Sequence, residues 1–164
     1  MVEIRILKPD ELHIWVRLRL DALADAPGVF GDTVLQVSQR SEEEWRESLL
    51  ERDGSLLIAF DGQLPVGMAR VSRSKERPGS AGLYSMWVAP AARRNGVGKA
   101  LMDSAFVWAE QRQTHEMILF VAQGNDDAKR LYLRAGFVET GRLQPLRSNP
   151  AVQMEEMVRR IRPK

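Results

Sequence analysis

Apolar and polar residues near the start of the chain recur with two different periods. Residues 2–7 alternate apolar and charged side chains, which predicts a half-buried strand. Pro9 followed by two acidic residues is typical of a helix start. Apolar residues then recur along one face of the predicted helix: Leu12, Trp15, Val16, Leu20 and Leu23. Residues 24–30 contain Asp-Ala-Pro-Gly, so we expect the helix to end there.

The next stretch predicts a second helix and a hairpin. Ser41 and Glu44 have the spacing of a capping box and mark the start of the helix. Residues 55–60 and 65–71 are rich in strand-forming side chains and are separated by Asp-Gly-Gln, which predicts a β-hairpin. Residues 72–82 are polar, basic and rich in proline and glycine, which predicts a surface loop.

The most informative stretch covers residues 83–102. Residues 83–89 are apolar, aromatic and β-branched, which predicts a buried strand ended by Pro90. The chain then becomes basic and glycine-bearing over residues 93–99. Residues that recur at helical spacing from there on are Val97, Leu101, Ser104 and Trp108. A strand, a glycine turn and a helix start bring free backbone N–H groups and the positive end of a helix dipole together. This order predicts a site for a phosphorylated ligand.

Two common phosphate loops do not fit this stretch. A Walker-type loop needs glycine at position 93 and serine or threonine at position 100, which hold Arg93 and Ala100. The dinucleotide fingerprint needs a third glycine where Leu101 stands. Magnesium-dependent nucleotide chemistry and dinucleotide binding are therefore disfavoured, and the pattern Arg-x-x-Gly-x-Gly at residues 93–98 remains to be explained.

A second informative stretch follows. Residues 118–121 predict a short buried strand, and Asn125 is a favoured N-cap with two acidic residues behind it. One face of the following helix is apolar and ends at a glycine: Ala128, Leu131, Tyr132, Ala135 and Gly136. Residues 141–158 predict a C-terminal strand pair whose loop is bracketed by Pro145 and Pro150.

Composition narrows the class of protein. The chain has 164 residues, 44% of them hydrophobic, and no internal repeat or linker, so we expect a single domain over residues 1–164. It has no cysteine, and its two histidines have no ligand spacing, so we expect no disulfide and no metal. The net charge of +2 gives little support to nucleic-acid binding. No apolar run is long enough to span a membrane and no leader pattern is present, so a cytoplasmic location is expected.

Two motifs carry a resemblance to a known family. Arg-x-x-Gly-x-Gly at residues 93–98 resembles the acetyl-CoA-binding motif of the GCN5-related N-acetyltransferases (GNAT), Gln/Arg-x-x-Gly-x-Gly/Ala. Asn-x-x-Ala-x-x-Leu-Tyr-x-x-x-Gly-Phe at residues 125–137 matches the other hallmark of that family. The resemblance implies an α/β (α+β) fold with a mixed, mostly antiparallel central sheet flanked by helices. A splayed central strand pair would form the acetyl-CoA groove.

The same resemblance implies transfer of an acetyl group from acetyl-CoA to a primary amine, by direct attack through a tetrahedral intermediate. Val88 matches the position whose backbone N–H binds the oxyanion, and Tyr132 matches the tyrosine that returns a proton to the departing sulfur. The implied cofactor-binding residues are Met86, Trp87, Val88, Arg93, Arg94, Asn95, Gly96, Val97, Gly98, Lys99, Asn125, Ala128 and Tyr132. The residues expected on the acceptor side are Phe30, Asp32 and Trp87.

The general base and the acceptor stay open. Residues 81–85 contain no carboxylate, although many relatives place a glutamate there. The alternatives are Glu76, Glu116, Asp32, a water held by Ser85, and direct attack by an amine that arrives neutral. The missing carboxylate also keeps open a non-catalytic acyl-CoA-binding or sensing module on the same fold. Expected partners are a small-molecule or peptide amine and, as an open alternative, a second copy of the chain in a homodimer, with no nucleic acid and no membrane.

Overall fold

The computed structural model describes residues 2–27, 33–49 and 53–161. Within these residues seven strands form one sheet: β1 Val2–Ile6, β2 Gly54–Asp61, β3 Leu64–Arg73, β4 Ser80–Val88, β5 Glu116–Ala122, β6 Val138–Leu146 and β7 Asn149–Arg160. Five α-helices accompany it: α1 Leu12–Asp25, α2 Val34–Ser38, α3 Glu42–Leu49, α4 Val97–Gln111 and α5 Asp126–Arg134. Short 3-10 turns precede α1 and follow β4, each beginning at a proline.

The sheet is mixed and mostly antiparallel. Its strand order is β1-β2-β3-β4-β5-β7-β6, and the parallel pair is β4 with β5 at its centre. The other neighbouring strands pair antiparallel, including the predicted hairpin of β2 and β3. This arrangement confirms the fold class expected from the sequence.

The two central strands separate soon after they begin. Residues Ser80–Gly82 of β4 pair with Glu116–Ile118 of β5, and the two strands do not pair with each other beyond these residues. β4 nevertheless continues to Val88 and β5 to Ala122. Each strand therefore has an edge facing the gap whose backbone groups are not used by the other, and this is the splayed pair that the resemblance implied.

A bulge in β4 changes which side chains share a face. Met68 of β3 pairs with Trp87, but Arg70 pairs with Tyr84, so one extra residue lies in β4 between these two pairs. Ser85 lies in this interval with a φ of 55°, a left-handed conformation that is uncommon for a side-chain-bearing residue. The bulge places Tyr84 and Trp87 on one face of the sheet, although their numbers differ in parity.

Helices cover both faces of the sheet. α4 and α5 pack on one face, against alternate strand residues that include Leu83, Met117 and Leu119. α1, α2 and α3 pack on the other face, around residues such as Ile58 and Met68. Because both faces are covered, successive residues of β2 from Leu56 to Phe60 are all buried.

Several predicted boundaries were wrong. No helix was predicted between residues 30 and 41, but α2 lies there, and Oγ1 of its N-cap Thr33 accepts from the backbone N–H of Gln36 at 3.2 Å. The predicted loop over residues 72–82 is shorter, because β3 extends to Arg73 and β4 begins at Ser80, where both find paired neighbours.

Three further details differ from the sequence reading. Tyr84, predicted within a buried strand, is 43% exposed. Pro145 and Pro150 lie inside β6 and β7 instead of in the loop between them. Proline is tolerated there because β6 is an edge strand and Pro150 is near the start of β7. Across the described part of the chain, no helix combines the length and apolarity needed to cross a bilayer.

Candidate active site

The N-terminus of α4 presents a row of backbone donors. Gly96 occupies the N-cap position with a φ of 77°, and no side chain caps the helix. The first helical hydrogen bond runs from the N–H of Ala100 to the carbonyl of Gly96, at 3.0 Å. No hydrogen bond joins the backbone N–H groups of residues 94–99 to another described residue. Six consecutive backbone N–H groups without a described partner therefore lie at the positive end of the helix dipole, where phosphate groups are favoured.

Gly98 allows the first turn of α4 to approach both β4 and α5. A Cβ atom at Gly98 would lie 3.1 Å from Leu131 Cδ2 and 3.9 Å from Val88 Cγ2. The first contact is tight, so the absence of a side chain lets the helix start close to α5. The two sequence motifs, distant along the chain, thus meet at the end of β4.

The backbone of Val88 faces the gap between the central strands. The N–H of the next residue, Ala89, donates to the carbonyl of Val66 on the β3 side, at 2.8 Å. Because successive N–H groups of an extended strand point to opposite sides, the N–H of Val88 points toward β5, where β4 is no longer paired. The carbonyl of Val88 accepts a hydrogen bond from Arg93 Nε at 2.9 Å.

Arg93 and Trp87 are tied to the end of α1. Trp87 Nε1 donates to Asp25 Oδ2 at 3.0 Å, and the guanidinium of Arg93 pairs with the same oxygen. The hydrogen bond from Trp87, which has the larger effect, and the one from Arg93 together hold the pKa of Asp25 below its usual value. Both side chains were predicted as cofactor contacts, and the structure gives each a protein partner that the sequence did not reveal.

Tyr132 lies on the α5 side of the site. It is 7% exposed, and its ring meets the Phe137 ring edge-on at a centroid distance of 6.0 Å. Burial raises the pKa of Tyr132 above its usual value, which keeps the hydroxyl protonated and able to donate. No described residue forms a hydrogen bond with that hydroxyl.

The other predicted cofactor contacts are spread around this region. Met86 and Ala128 are partly buried against the core beneath α4. Asn125 stands at the N-cap of α5, as predicted, although its side chain makes no capping hydrogen bond. Arg94 and Lys99 are exposed, and Lys99 Nζ pairs with Asp103 Oδ2 at 2.8 Å.

A cavity of about 360 Å³ lies on the opposite face of the sheet, beyond the region covered by α1. Gly82 and Ile118, the last paired residues of β4 and β5, both line it, so it lies over the point where the strands separate. Tyr84 and Phe120 line the same cavity. Trp87 is buried under α1 and does not line this cavity; Phe30 and Asp32 lie outside the described residues.

The cavity includes polar residues that sequence reasoning missed. Arg70 on β3 and Glu156 on β7 line it, together with basic residues from the predicted surface loop. The alternation Met68, Arg70, Ser72 placed Arg70 on the same face as Met68, and this was the available signal. Glu156 is 2% exposed, and no pattern in the sequence indicated that this carboxylate is buried.

The candidate bases are engaged or exposed. Glu116 Oε1 accepts from Ser80 Oγ at 2.8 Å, beside the paired part of β4 and β5. Glu76 is 80% exposed and lies 3.9 Å from Arg142. Ser85 Oγ accepts from Arg19 Nη1 at 3.0 Å. Among these three residues, only Glu76 lines the cavity.

The chain is similar in sequence to curated acetyltransferases. A mycothiol acetyltransferase of Salinispora tropica is 33% identical over 129 residues, covering 75% of this chain and 40% of that protein. A mycothiol acetyltransferase of Acidothermus cellulolyticus is 29% identical over 153 residues, covering 85% of this chain and 46% of that protein. The chain therefore spans less than half the length of these curated relatives.

The fold has a close counterpart among solved structures. The acetyltransferase of GNAT family from Streptococcus pneumoniae has a TM-score of 0.80 and 19% identity to this chain, covering 99% of this chain and 100% of that one. A family model described as acetyltransferase (GNAT) family matches residues 15–137. With three-quarters of its length matched by that model, the chain belongs to the acetyltransferase (GNAT) family.

Proposed function

We propose that this chain is an acetyl-CoA-dependent N-acetyltransferase that moves an acetyl group to a primary amine. The observation that carries the proposal is the row of backbone donors at residues 94–99, beside the unpaired edge of β4. A pyrophosphate at these donors would leave its attached arm free to run along that edge. This combination suits a long phosphorylated thioester better than a free nucleotide.

The residues present fit acetyl-CoA. The amides of residues 94–99 would hold the pyrophosphate, and the edge of β4 from Met86 to Val88 would pair with the pantetheine amides as a neighbouring strand does. Asn125 and Ala128 would contact the cofactor further along, on the α5 side. When bound, acetyl-CoA supplies an activated acetyl group as a thioester.

Three groups would then act on the reacting atoms. An acceptor amine would attack the thioester carbonyl and then give up its extra proton to solvent, and the N–H of Val88 would donate to the carbonyl oxygen as negative charge develops there. One such donor is typically worth about 3 to 4 kcal/mol of barrier. As the C–S bond breaks, Tyr132 donates a hydrogen bond to the departing sulfur. Since thiols ionise near pH ~8.5, the thiolate is already a fair leaving group and needs only modest help.

The amine is proposed to attack in its neutral form without a carboxylate base. Glu116 accepts from Ser80 and lies 3.6 Å from Arg77, so it lacks the freedom expected of a base, and Ser85 Oγ accepts from Arg19. Removal of the proton by solvent before attack requires no protein group. Its signature is a dependence of rate on the acceptor's own pKa.

Release of thiol from acetyl-CoA across a panel of primary amines tests the proposal. The panel includes the deacetylated form of mycothiol, because the curated relatives are named for that compound. We expect at least one amine to give turnover above hydrolysis. Tight CoA binding with no turnover across the panel would favour the non-catalytic acyl-CoA-binding module instead.

The pH profile tests the absence of a carboxylate base. With two amines of different solution pKa, kcat/KM should rise to a plateau at a pH that moves with the amine. An inflection that stays at one pH for both amines would identify an ionising group on the enzyme and contradict direct attack by a free neutral amine.

Gly96→Ala tests the row of donors. Gly96 has a φ of 77° and open space around its Cβ position, so alanine costs roughly 1 to 2 kcal/mol of backbone strain and creates no clash. Gly62 in the β2–β3 hairpin is the matched control, since its φ is 62° and its Cβ position is equally open. Both variants should lose similar stability, but only Gly96→Ala should weaken CoA binding, by roughly 5- to 30-fold. Equal CoA affinity for the two variants would contradict the assigned site.

A further inference from the structure

We propose that the acceptor amine carries an anionic group, a carboxylate or a phosphate, which binds the cationic wall of the cavity over the strand gap. This inference rests on the proposed acetyl transfer and names the class of acceptor for it. The amine would lie toward the gap between β4 and β5, with the anion held on the arginine side.

The cavity wall has an excess of positive charge. Its lining includes five cations, Arg70, Arg73, Lys75, Arg77 and Arg142. Two carboxylates, Glu76 and Glu156, also line it, which leaves a formal excess of three positive charges. Glu116, which lies 3.6 Å from Arg77 behind the wall, reduces that excess by one at most. The whole chain carries only +2, so the charge is concentrated here.

Glu156 fixes two of the arginines in place. It is 2% exposed and accepts hydrogen bonds from Arg77 Nη2 at 2.7 Å, Arg142 Nη1 at 3.3 Å and Thr140 Oγ1 at 3.0 Å. The side chains of Arg77 and Arg142 nevertheless remain 35% and 49% exposed. Since a guanidinium has five N–H donors, each arginine keeps donors for a ligand. A pre-positioned pair of this kind suits the oxygens of a carboxylate or phosphate.

The second carboxylate of the wall is held loosely. Glu76 is 80% exposed and lies 3.9 Å from Arg142. Exposed pairs of this geometry contribute about 0 to 1 kcal/mol, so a ligand anion can replace Glu76 at little cost. The wall therefore accepts an anion without breaking the buried contacts of Glu156.

The rest of the cavity orients such a ligand. Gly82 and Ile118 mark the point where the strands separate, and Tyr84 and Phe120 provide an apolar surface beside it. A ligand anchored by its anion would direct its other end toward the gap. The cationic surroundings also disfavour the ammonium form of the amine, which promotes attack by its neutral form.

Matched acceptor pairs test the inference. β-Alanine against β-alaninamide tests a carboxylate, and phosphoethanolamine against ethanolamine tests a phosphate. In thiol-release assays at constant low ionic strength, we expect at least one anionic member to have a kcat/KM about tenfold or more above its neutral partner. The arm that gives the larger ratio identifies the anion.

Arg142→Gln should raise KM for the preferred anionic acceptor by about tenfold and leave the neutral partner and CoA affinity unchanged. Lys75→Gln, at an exposed lining residue, should act in the same direction and carries less risk of misfolding. Arg46→Gln on α3 is the control, since Arg46 is 46% exposed, pairs with Glu42 and does not line the cavity. It should change neither acceptor's KM.

Turnover of neutral amines with no preference for anionic ones would overturn this inference and leave acetyl transfer standing. Equal losses for both members of a pair in Arg142→Gln would also overturn it. If no amine in either pair is turned over, binding of glutarate and of inorganic phosphate decides the matter. Amide NMR shifts should then appear around Arg70, Arg77 and Gly82 at millimolar anion, and their absence would refute the cationic site independently of catalysis.

Discussion

Replacing Asp25 with alanine should destabilise the fold more than an ordinary helix-surface substitution. Asp25 ends α1 and accepts from Trp87 Nε1 at 3.0 Å while pairing with Arg93, whose Nε holds the carbonyl of Val88. The carboxylate thus joins α1, the end of β4 and the start of the turn before α4. Loss of the carboxylate should therefore weaken the contacts among all three segments.

The magnitude follows from the exposure of each partner. Trp87 is 7% exposed, so removing its acceptor leaves a largely buried N–H unsatisfied, which costs about 1 to 3 kcal/mol. The lower part of this range applies, because Asp25 is 27% exposed and water can enter the space it leaves. The ion pair adds about 0 to 1 kcal/mol, since Arg93 is 46% exposed. We therefore expect a loss of about 1 to 2.5 kcal/mol in the free energy of unfolding.

The effect should depend on pH with a defined sign. The folded-state pKa of Asp25 is lowered by Trp87 and Arg93, so its stabilisation is fully present above the unfolded pKa of about 4. It is lost as the pH falls through the folded pKa. The difference between wild type and Asp25→Ala should thus be constant from about pH 5 upward and shrink below about pH 4.

Urea unfolding at several pH values measures this difference. Asp21→Ala is the matched control, because Asp21 lies one turn earlier on α1 and pairs with Arg17 at 3.5 Å in an exposed contact. That control should lose about 0.5 kcal/mol or less. An Asp25→Ala loss no greater than that of Asp21→Ala, or one that does not shrink at low pH, would refute the reasoning.

Other variants probe the two sides of the gap. Tyr132→Phe should lower kcat by roughly 10- to 100-fold and leave CoA affinity unchanged, and the loss of kcat should be smaller with an acyl donor whose thiol is more acidic. An unchanged kcat under conditions where chemistry limits the rate would make Tyr132 a core residue only. Gly98→Val should weaken CoA binding about tenfold or more by calorimetry, because its side chain meets Leu131, and wild-type affinity in a folded variant would contradict this. Gly82→Ala would put a Cβ 2.2 Å from the Tyr84 hydroxyl oxygen, so the ring must move and acceptor KM should change several-fold with CoA affinity intact.

The fold could be predicted because its signals are local and repeated. The strand at residues 83–89, the glycine turn and the following helix each have short-range signatures, and the hairpin of β2 and β3 has a turn sequence between two apolar runs. Each of these signals concerns neighbours along the chain. The second motif added a helix with an apolar face, and Gly136 ends it with a φ of 96°.

The cavity over the strand gap could not be predicted, because it depends on contacts between distant segments. Arg77 and Glu156 are 79 residues apart, and no local pattern links a basic loop to a buried carboxylate on β7. Asp25 and Arg93 are separated by 68 residues in the same way. The sequence therefore revealed the protein partners of neither the basic loop nor Arg93, and the predicted cofactor contact of Arg93 stays a prediction.

The bulge at Ser85 connects these two sides of the molecule. Without an extra residue, strict alternation would place Trp87 on the same face as Leu83, beneath α4. With it, Leu83, Met86 and Val88 face α4, while Tyr84 and Trp87 face α1 and the cavity. Arg19, 8% exposed on α1, donates to Ser85 Oγ and so stabilises the strained residue from the α1 side of the sheet. The same extra residue gives β4 the register in which the N–H of Val88 points toward the gap, so the bulge sets both the cavity face and the proposed oxyanion donor.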